Sequence, residues 1–297
     1  MGGYMRDLLL RQWQAPGDLI VLTVALRDLH LSYPDQFRTQ VISCYPEVFY
    51  KNPYQSKLSY DEPWLNLWYK KWREIGINTG AHFSDAFIQE LNEQLQLNIQ
   101  KTSIWPELYL DDDEKDPKVL QRFGIEQPYW VINAGIKVDY PIKQYPPFYW
   151  QKAINYLNQE QNKFGMPLVQ AGHSHDMHPQ LEGVTNLVGK TNNIRDYFTL
   201  MYHAEGSMGH VSLHMHVAAA FRKPCVVVAG GREGLRWEVY PGHQFLHVTG
   251  LLPCAGLAGC WISVPRDCLD LRHGIPQCYR MIRPEDVCGA VLKYYCK

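Results

Sequence analysis

Short apolar runs alternate with helix-length amphipathic stretches along this chain, and that alternation constrains its fold more than any other feature. The clearest run, CVVVA at residues 225–229, is typical of a strand that helices cover on both faces. Such runs separated by helical patterns indicate βα units and mostly parallel sheets, so we predict an α/β protein. Strands are expected at residues 7–11, 39–43, 129–134, 168–171 and 225–229, and helices at residues 19–30, 84–94, 150–161, 194–202, 213–221 and 284–295.

Composition excludes several classes of protein. Hydrophobic residues make up 46% of the 297 residues and charged residues 20%, which is enough apolar material for a buried core. The 29 basic and 30 acidic side chains nearly cancel, so the chain has no overall positive field for nucleic acid, and nucleic-acid binding is not expected. No apolar run is long enough for a signal peptide or a bilayer span, and we therefore expect a cytoplasmic protein without a transmembrane segment.

A run of charges ending in proline, DDDEKDP at residues 111–117, interrupts the periodic pattern. Such a run is typical of an exposed connector, so we predict an N-terminal domain over residues 1–116 and a C-terminal domain over residues 117–297. A surface turn within a single domain is the alternative.

The first predicted strand leads through Ala15, Pro16, Gly17 and Asp18 into the first helix. A turn of this kind lies at the carboxyl edge of a parallel sheet, where open α/β sheets bind ligands. Gly17 would let a ligand approach the backbone closely, and Asp18 would project into the site. The alternative is that Asp18 is the N-cap of the helix, a position that aspartate favours.

The block that begins GDLI at residue 17 resembles the opening of glycosyltransferase family 9, the ADP-heptose:lipopolysaccharide heptosyltransferases. The resemblance continues through Thr23, Leu26, Leu29, Tyr33 and Pro34, and overall it spans residues 8–291. It implies a GT-B fold, in which two Rossmann-like domains face each other across a cleft, the first for the acceptor and the second for the donor. It also implies inverting transfer that needs no divalent metal for chemistry, with Asp18 as the general base that takes the acceptor's proton.

The second half continues the resemblance. A lysine ahead of an aromatic residue and proline contacts the donor pyrophosphate in this family, which makes Lys143 the candidate here; the alternative is an ordinary surface lysine beside a proline-rich turn. GKT at residues 189–191 looks like the end of a phosphate-binding loop, but Val184 occupies the place of the required first glycine. An NTPase is therefore excluded.

A histidine before Val-Ala-Ala-Ala lies at the nucleotide diphosphate in the family, and here it is His216. Ser212 lies near the N-terminus of that helix, whose free backbone amides suit phosphate oxygens. Leu213 departs from the family, which has glycine three residues before this histidine. Gly17 and the Gly230–Gly231 turn complete the expected donor contacts; an ordinary tight turn is the alternative reading of the glycine pair.

Cys254, Cys260, Cys268 and Cys278 fall within one glycine- and proline-containing segment, over about residues 250–282. Four thiolates can hold zinc or iron tetrahedrally, although free buried cysteines are the alternative. The segment resembles the C-terminal cysteine finger of autotransporter heptosyltransferases, which binds iron. The resemblance implies a structural metal ion here.

The sequence thus predicts a glycosyltransferase that moves a sugar from a nucleotide-diphosphate sugar to a hydroxyl on a glycan or protein. ADP-heptose is the donor implied by the resemblance. Two other functions stay open: a catalytically idle nucleotide- or carbohydrate-binding protein, which Leu213 favours, and a module that uses the cysteine segment to assemble a homo-oligomer.

Overall fold

The computed structural model describes residues 5–59, 63–159 and 164–295. Its helices and parallel sheets confirm the predicted α/β class. The chain divides into two compact units, of which the first comprises Met1–Asp111 with Arg236–Tyr240 and the second Asp112–Leu235 with Pro241–Lys297. None of the described helices is long and apolar enough to cross a membrane.

The first unit is built on a three-stranded parallel sheet in the order β2-β1-β3. Helix α1 is buried along almost its whole length, because its sequence is apolar on nearly every face. A 3-10 turn spans Pro46–Phe49. The elements of this unit are β1 (Arg6–Arg11), α1 (Pro16–Ser32), β2 (Phe37–Ile42), β3 (Trp64–Asn66), α2 (Lys70–Thr79) and α3 (Phe83–Leu95).

Helix α1 begins three residues before the predicted start at residue 19. Pro16 opens it, since the fixed backbone angle of proline suits the first helical turn, and Ala15 is the N-cap. Asp18 therefore lies inside the first turn, and the alternative that made it the N-cap is wrong.

The segment Arg236–Tyr240 packs in the first unit although it comes late in the chain. The ring of Trp237 stacks on Phe83 with 5.1 Å between centroids. The backbone oxygen of Trp237 also accepts a 2.7 Å hydrogen bond from the Phe83 amide. Glycine is required at position 76, because a Cβ there would lie 2.7 Å from the Trp237 ring.

The second unit contains a six-stranded parallel sheet in the order β6-β5-β4-β7-β8-β9 and an antiparallel pair, β10-β11. Further 3-10 turns span Pro117–Phe123, Pro141–Lys143 and Pro265–Asp267. The other elements are α4 (Asp112–Lys115), β4 (Trp130–Asn133), α5 (Pro147–Leu157), β5 (Leu168–Gln170), β6 (Thr185–Asn186), α6 (Ile194–His203), β7 (Gly206–His210), α7 (Leu213–Ala220), β8 (Cys225–Gly230), β9 (Gln244–His247), β10 (Leu271–Arg272), β11 (Ile275–Pro276), α8 (Gln277–Arg280) and α9 (Pro284–Leu292).

Two elements of this unit differ from the predictions. Residues 206–210, GSMGH, form the buried strand β7, although no strand was predicted there. Their glycines fit close packing, since a Cβ on Gly206 would lie 2.5 Å from the Trp130 ring. The helix expected over residues 150–161 spans Pro147–Leu157 instead, and residues 160 and 161 lie outside the described residues.

The charged run that was expected to be an exposed connector contains a helical turn, α4. Asp112 and Asp113 are exposed, but Glu114 is docked on helix α6. Its carboxylate accepts a 2.9 Å hydrogen bond from Arg195 Nε, and its backbone oxygen lies 2.8 Å from His203 Nε2. These partners come from about 80 residues further along the chain, so local periodicity gives no sign of them.

Candidate donor and acceptor sites

Asp18 lies in the first turn of α1, directly after the carboxyl end of β1. Gly17 beside it is buried, whereas Asp18 is half-buried. The positive end of the helix dipole favours a carboxylate at this position. Asp18 is therefore placed as a charged group at the sheet edge where α/β proteins bind ligands.

The hydroxyl of Tyr69 donates a hydrogen bond to Asp18 Oδ1. Burial, followed by the charge of Asp18, raises the pKa of Tyr69, so the phenol keeps its proton and remains a donor. The Tyr69 backbone has a φ of 28°, in the left-handed region that non-glycine residues rarely adopt. Contacts with Phe83 and Phe87, at 4.9 and 4.7 Å between ring centroids, hold the side chain there.

Sequence reasoning missed Tyr69. It follows β3 in an aromatic-rich stretch that carries no recognisable motif, and 51 residues separate it from Asp18. Its strained backbone could not be inferred from residue type.

In the second unit, Lys143 ends a 3-10 turn that follows β4. Its ammonium lies 2.7 Å from the Glu233 carboxylate and 3.4 Å from the backbone oxygen of Val211. Val211 precedes Ser212, the N-cap of α7. The structure thus brings together two of the predicted donor residues, Lys143 and Ser212.

The N-terminus of α7 has the properties of an anion site. The Ser212 hydroxyl does not cap its own helix, and it is buried without a hydrogen-bond partner among the described residues. His216 lies one turn further along and is 5% exposed. A lysine, the first amides of a helix and a buried hydroxyl near one another suit phosphate oxygens.

Two neighbouring histidines serve packing instead. His210 Nε2 accepts hydrogen bonds from the Tyr145 amide at 2.9 Å and the Trp150 indole at 3.3 Å. His214 Nε2 lies 2.7 Å from the His210 backbone oxygen. Burial lowers the pKa of His210 to about 3 and that of His214 to about 4, so both rings are neutral at physiological pH.

The glycine pair lies against the cysteine-bearing segment. Gly230 ends β8 with a φ of 64°, and a Cβ there would lie 3.3 Å from the Cys278 sulfur. A Cβ on Gly231 would lie 2.8 Å from Ala255, and the Gly231 backbone oxygen accepts a 3.1 Å hydrogen bond from the Cys260 amide. The backbone of this turn therefore packs the segment that follows.

All four clustered cysteines line one small cavity, beside Gly231 and Tyr279. As placed, the described side chains form no group of three or more histidine, cysteine or acidic residues that could hold a metal ion. Burial raises the pKa of Cys260, and raises that of Cys278 to about 11, with neighbouring cysteines adding to both. A metal ion bound there would have to replace the protons that burial favours on these two thiols.

Comparison with solved structures shows that the chain has the GT-B fold of glycosyltransferases. A family 9 glycosyl transferase from Veillonella parvula is 15% identical with a TM-score of 0.62, over 83% of this chain and 86% of that one. The iron-containing dodecameric glycosyltransferase TibC from enterotoxigenic E. coli is 16% identical with a TM-score of 0.69, over 97% and 78%. The E. coli ADP-heptose lipopolysaccharide heptosyltransferase II is 15% identical with a TM-score of 0.62, over 98% and 99%.

More than half of the chain, residues 66–244, matches the model of Glycosyltransferase family 9 (heptosyltransferase). The chain belongs to this family. No curated protein matches it.

Proposed function

We propose that this protein transfers a sugar from a nucleotide-diphosphate sugar to a hydroxyl group on a glycan or protein. The proposal rests on one observation, which is that Lys143 lies beside the N-terminus of α7. Ser212 Oγ is buried there without a hydrogen-bond partner among the described residues. Family membership adds the reaction class. ADP-heptose is the proposed donor.

In the proposed reaction the acceptor oxygen attacks the anomeric carbon while Asp18 takes the hydroxyl proton. The bond from the anomeric carbon to the diphosphate oxygen breaks, and the nucleoside diphosphate leaves with the bonding electrons. Lys143 and the α7 amides would stabilise the charge that develops on it, with His216 as a further contact. Gly17 would allow the substrate to approach the backbone closely beside Asp18. Gly230 and Gly231 would contribute to donor binding indirectly, because the cysteine-bearing segment packs against them.

A structural zinc or iron ion, held by Cys254, Cys260, Cys268 and Cys278, is part of the proposal. Four thiols around one cavity support it. Such an ion would cross-link residues 254–278, most of which lie in turns and short elements. No step of the transfer needs it.

A second candidate function is self-assembly through the cysteine-bearing segment. Three of its leucines are strongly exposed: Leu251 at 67%, Leu257 at 74% and Leu269 at 82%. Exposed apolar side chains concentrated in one segment are typical of an interaction surface. Sedimentation of the purified protein, compared with a variant carrying serine at these positions, would separate assembly from catalysis.

A thermal-shift series with ADP-, UDP-, GDP- and dTDP-sugars tests the main proposal, because a ligand that binds the native state raises its melting temperature. We expect one nucleotide class to raise it, and the corresponding nucleoside diphosphate to be released when acceptor is added. If none of these sugars changes the melting temperature, the alternative of a catalytically idle family member gains over the enzyme.

A further inference from the structure

Glu233 is a buried carboxylate that no sequence motif singled out. Its side chain is 1% exposed, and Oε1 pairs with the ammonium of Lys143 at 2.7 Å and with the guanidinium of Arg232. Burial acts to raise the pKa of Glu233, but the charges of Lys143 and Arg232 outweigh it and lower that pKa, so the group is ionised. Its other oxygen, Oε2, is buried without a hydrogen-bond partner among the described residues.

Desolvating an ion to this degree offsets most of what its pairing contributes to stability. The arrangement is therefore poorly explained as a stabilising contact alone. The ion pair instead fixes a position, because it holds the ammonium of Lys143, on its flexible four-carbon stem, in one place.

Arg232 is anchored on its other side by the cysteine-bearing segment. Its Nε donates a 2.7 Å hydrogen bond to the backbone oxygen of Ile262, and its own backbone oxygen accepts a 3.1 Å bond from the Trp261 amide. The guanidinium lies 5.2 Å from the centroid of the Tyr140 ring and 5.3 Å from that of Trp261. A continuous set of contacts thus runs from residues 261–262 through Arg232 and Glu233 to Lys143.

We propose that Glu233 is a positioning residue that holds the Lys143 ammonium beside the N-terminus of α7. Arg232 fixes Glu233 to the cysteine-bearing segment, so the order of that segment sets the position of Lys143. The inference rests on the proposed function in one respect: it takes the anion bound by Lys143 to be the donor pyrophosphate.

The first test needs no ligand. Acetic anhydride labels free amines, and mass spectrometry gives the labelling rate of each lysine. We expect Lys143 to react more slowly than the exposed Lys71, and its rate to rise several-fold in Glu233→Gln while that of Lys71 does not change. An unchanged Lys143 rate would overturn the proposal.

If Glu233→Gln accelerates labelling at every lysine, the variant has loosened the whole fold. Arg232→Lys is then used as the test variant in place of Glu233→Gln. That variant keeps a cation beside Glu233 but loses the geometry of the bond to Ile262. The same selective rise at Lys143 is expected, and its absence again overturns the proposal.

The second test uses binding of pyrophosphate and of ADP, UDP, GDP and dTDP, measured by calorimetry. Glu233→Gln removes a negative charge, so Coulomb's law alone predicts tighter binding of these anions. Positioning predicts the opposite, a loss of about ten-fold, because Lys143 is no longer held. Equal or tighter binding in the variant contradicts the proposal.

Two controls complete this test. Glu126→Gln makes the same change of charge at an exposed site in the same unit and should leave affinity unaltered. Adding Glu233→Gln to Lys143→Ala should cause no further loss of affinity for these anions, since there is then no ammonium to position. A wild-type protein that binds none of the probes argues against the proposed donor function, whereas the labelling result still decides whether Glu233 positions Lys143.

Discussion

The Tyr69 hydroxyl donates a hydrogen bond to the Asp18 carboxylate across 51 residues of sequence. Asp18 lies in the first turn of helix α1, after β1, and Tyr69 is the N-cap of helix α2, after β3. The contact therefore joins segments that follow two adjacent parallel strands of the first unit. A carboxylate that must accept a proton at a defined point benefits from such a fixed orientation.

Replacement of Tyr69 by Phe should lower kcat about ten-fold without changing the KM for the donor, because the ring contacts remain and only the hydroxyl that orients Asp18 is lost. Steady-state kinetics with saturating donor measure this. The matched control is Tyr33→Phe, which removes a hydroxyl that accepts a 2.8 Å hydrogen bond from the Asn98 amide. If kcat falls equally in both variants, the Tyr69 hydroxyl does not orient Asp18 for catalysis.

Replacement of Asp18 by Asn should lower turnover by about a hundred-fold or more, since the amide cannot take the acceptor's proton. Donor affinity should stay close to that of the wild type, because Asp18 acts on the acceptor. Product formation and calorimetric donor binding are measured on the same preparation. Undiminished turnover would show that Asp18 only stabilises the first turn of its helix.

Replacement of Lys143 by Ala should weaken donor binding about ten-fold and also slow transfer, since its charge acts on the pyrophosphate in both the bound and the transition state. The loss should shrink at high salt, as expected for a charge interaction. Lys152→Ala, an exposed lysine in the same unit, is the control and should bind donor normally. Wild-type affinity in Lys143→Ala would remove this residue from the donor site.

Purified protein should contain about one zinc or iron ion per chain, four thiolates being a full ligand set. Elemental analysis should show that Cys260→Ser loses the ion, and thermal denaturation should show that it melts at a lower temperature. Cys44→Ser, at an exposed cysteine outside the cluster, should keep the metal content and the melting temperature of the wild type. A metal-free wild type of ordinary stability would refute the metal site. The stoichiometry is the stronger test, because thiolate sites exchange zinc and iron during purification.

Stability should fall steeply in acid because His210 is buried as a neutral ring. Its pKa is lowered to about 3 by burial, so it contributes stability above its ordinary pKa of 6.5 and loses it as the pH falls toward 3. At pH 4.5, two pH units below the ordinary pKa, the loss amounts to about 3 kcal/mol at this site. Urea unfolding at pH 7.5 and 4.5 should therefore show a smaller pH dependence for His210→Gln than for the wild type. An equal pH dependence would mean that other groups dominate.

Local patterns account for much of this fold. The buried strands at residues 168–171 and 225–229 were predicted within one residue of their ends, because continuous apolar runs report burial on both faces. Strand β7 was missed, since GSMGH has no apolar pattern and its burial depends on the Trp130 ring that packs over it. The start of α1 was misplaced because Pro16 was taken as part of a turn.

For the candidate sites, sequence resemblance singled out Asp18, Lys143, Ser212 and His216, residue types whose chemistry suits the proposed reaction. Tyr69 and Glu233 were not among them, because what matters about each is its contact with a residue far away in the chain. A residue's type and neighbours indicate its chemistry and local structure. Which groups hold it in place depends on how distant segments pack, and packing is a property of the folded chain as a whole.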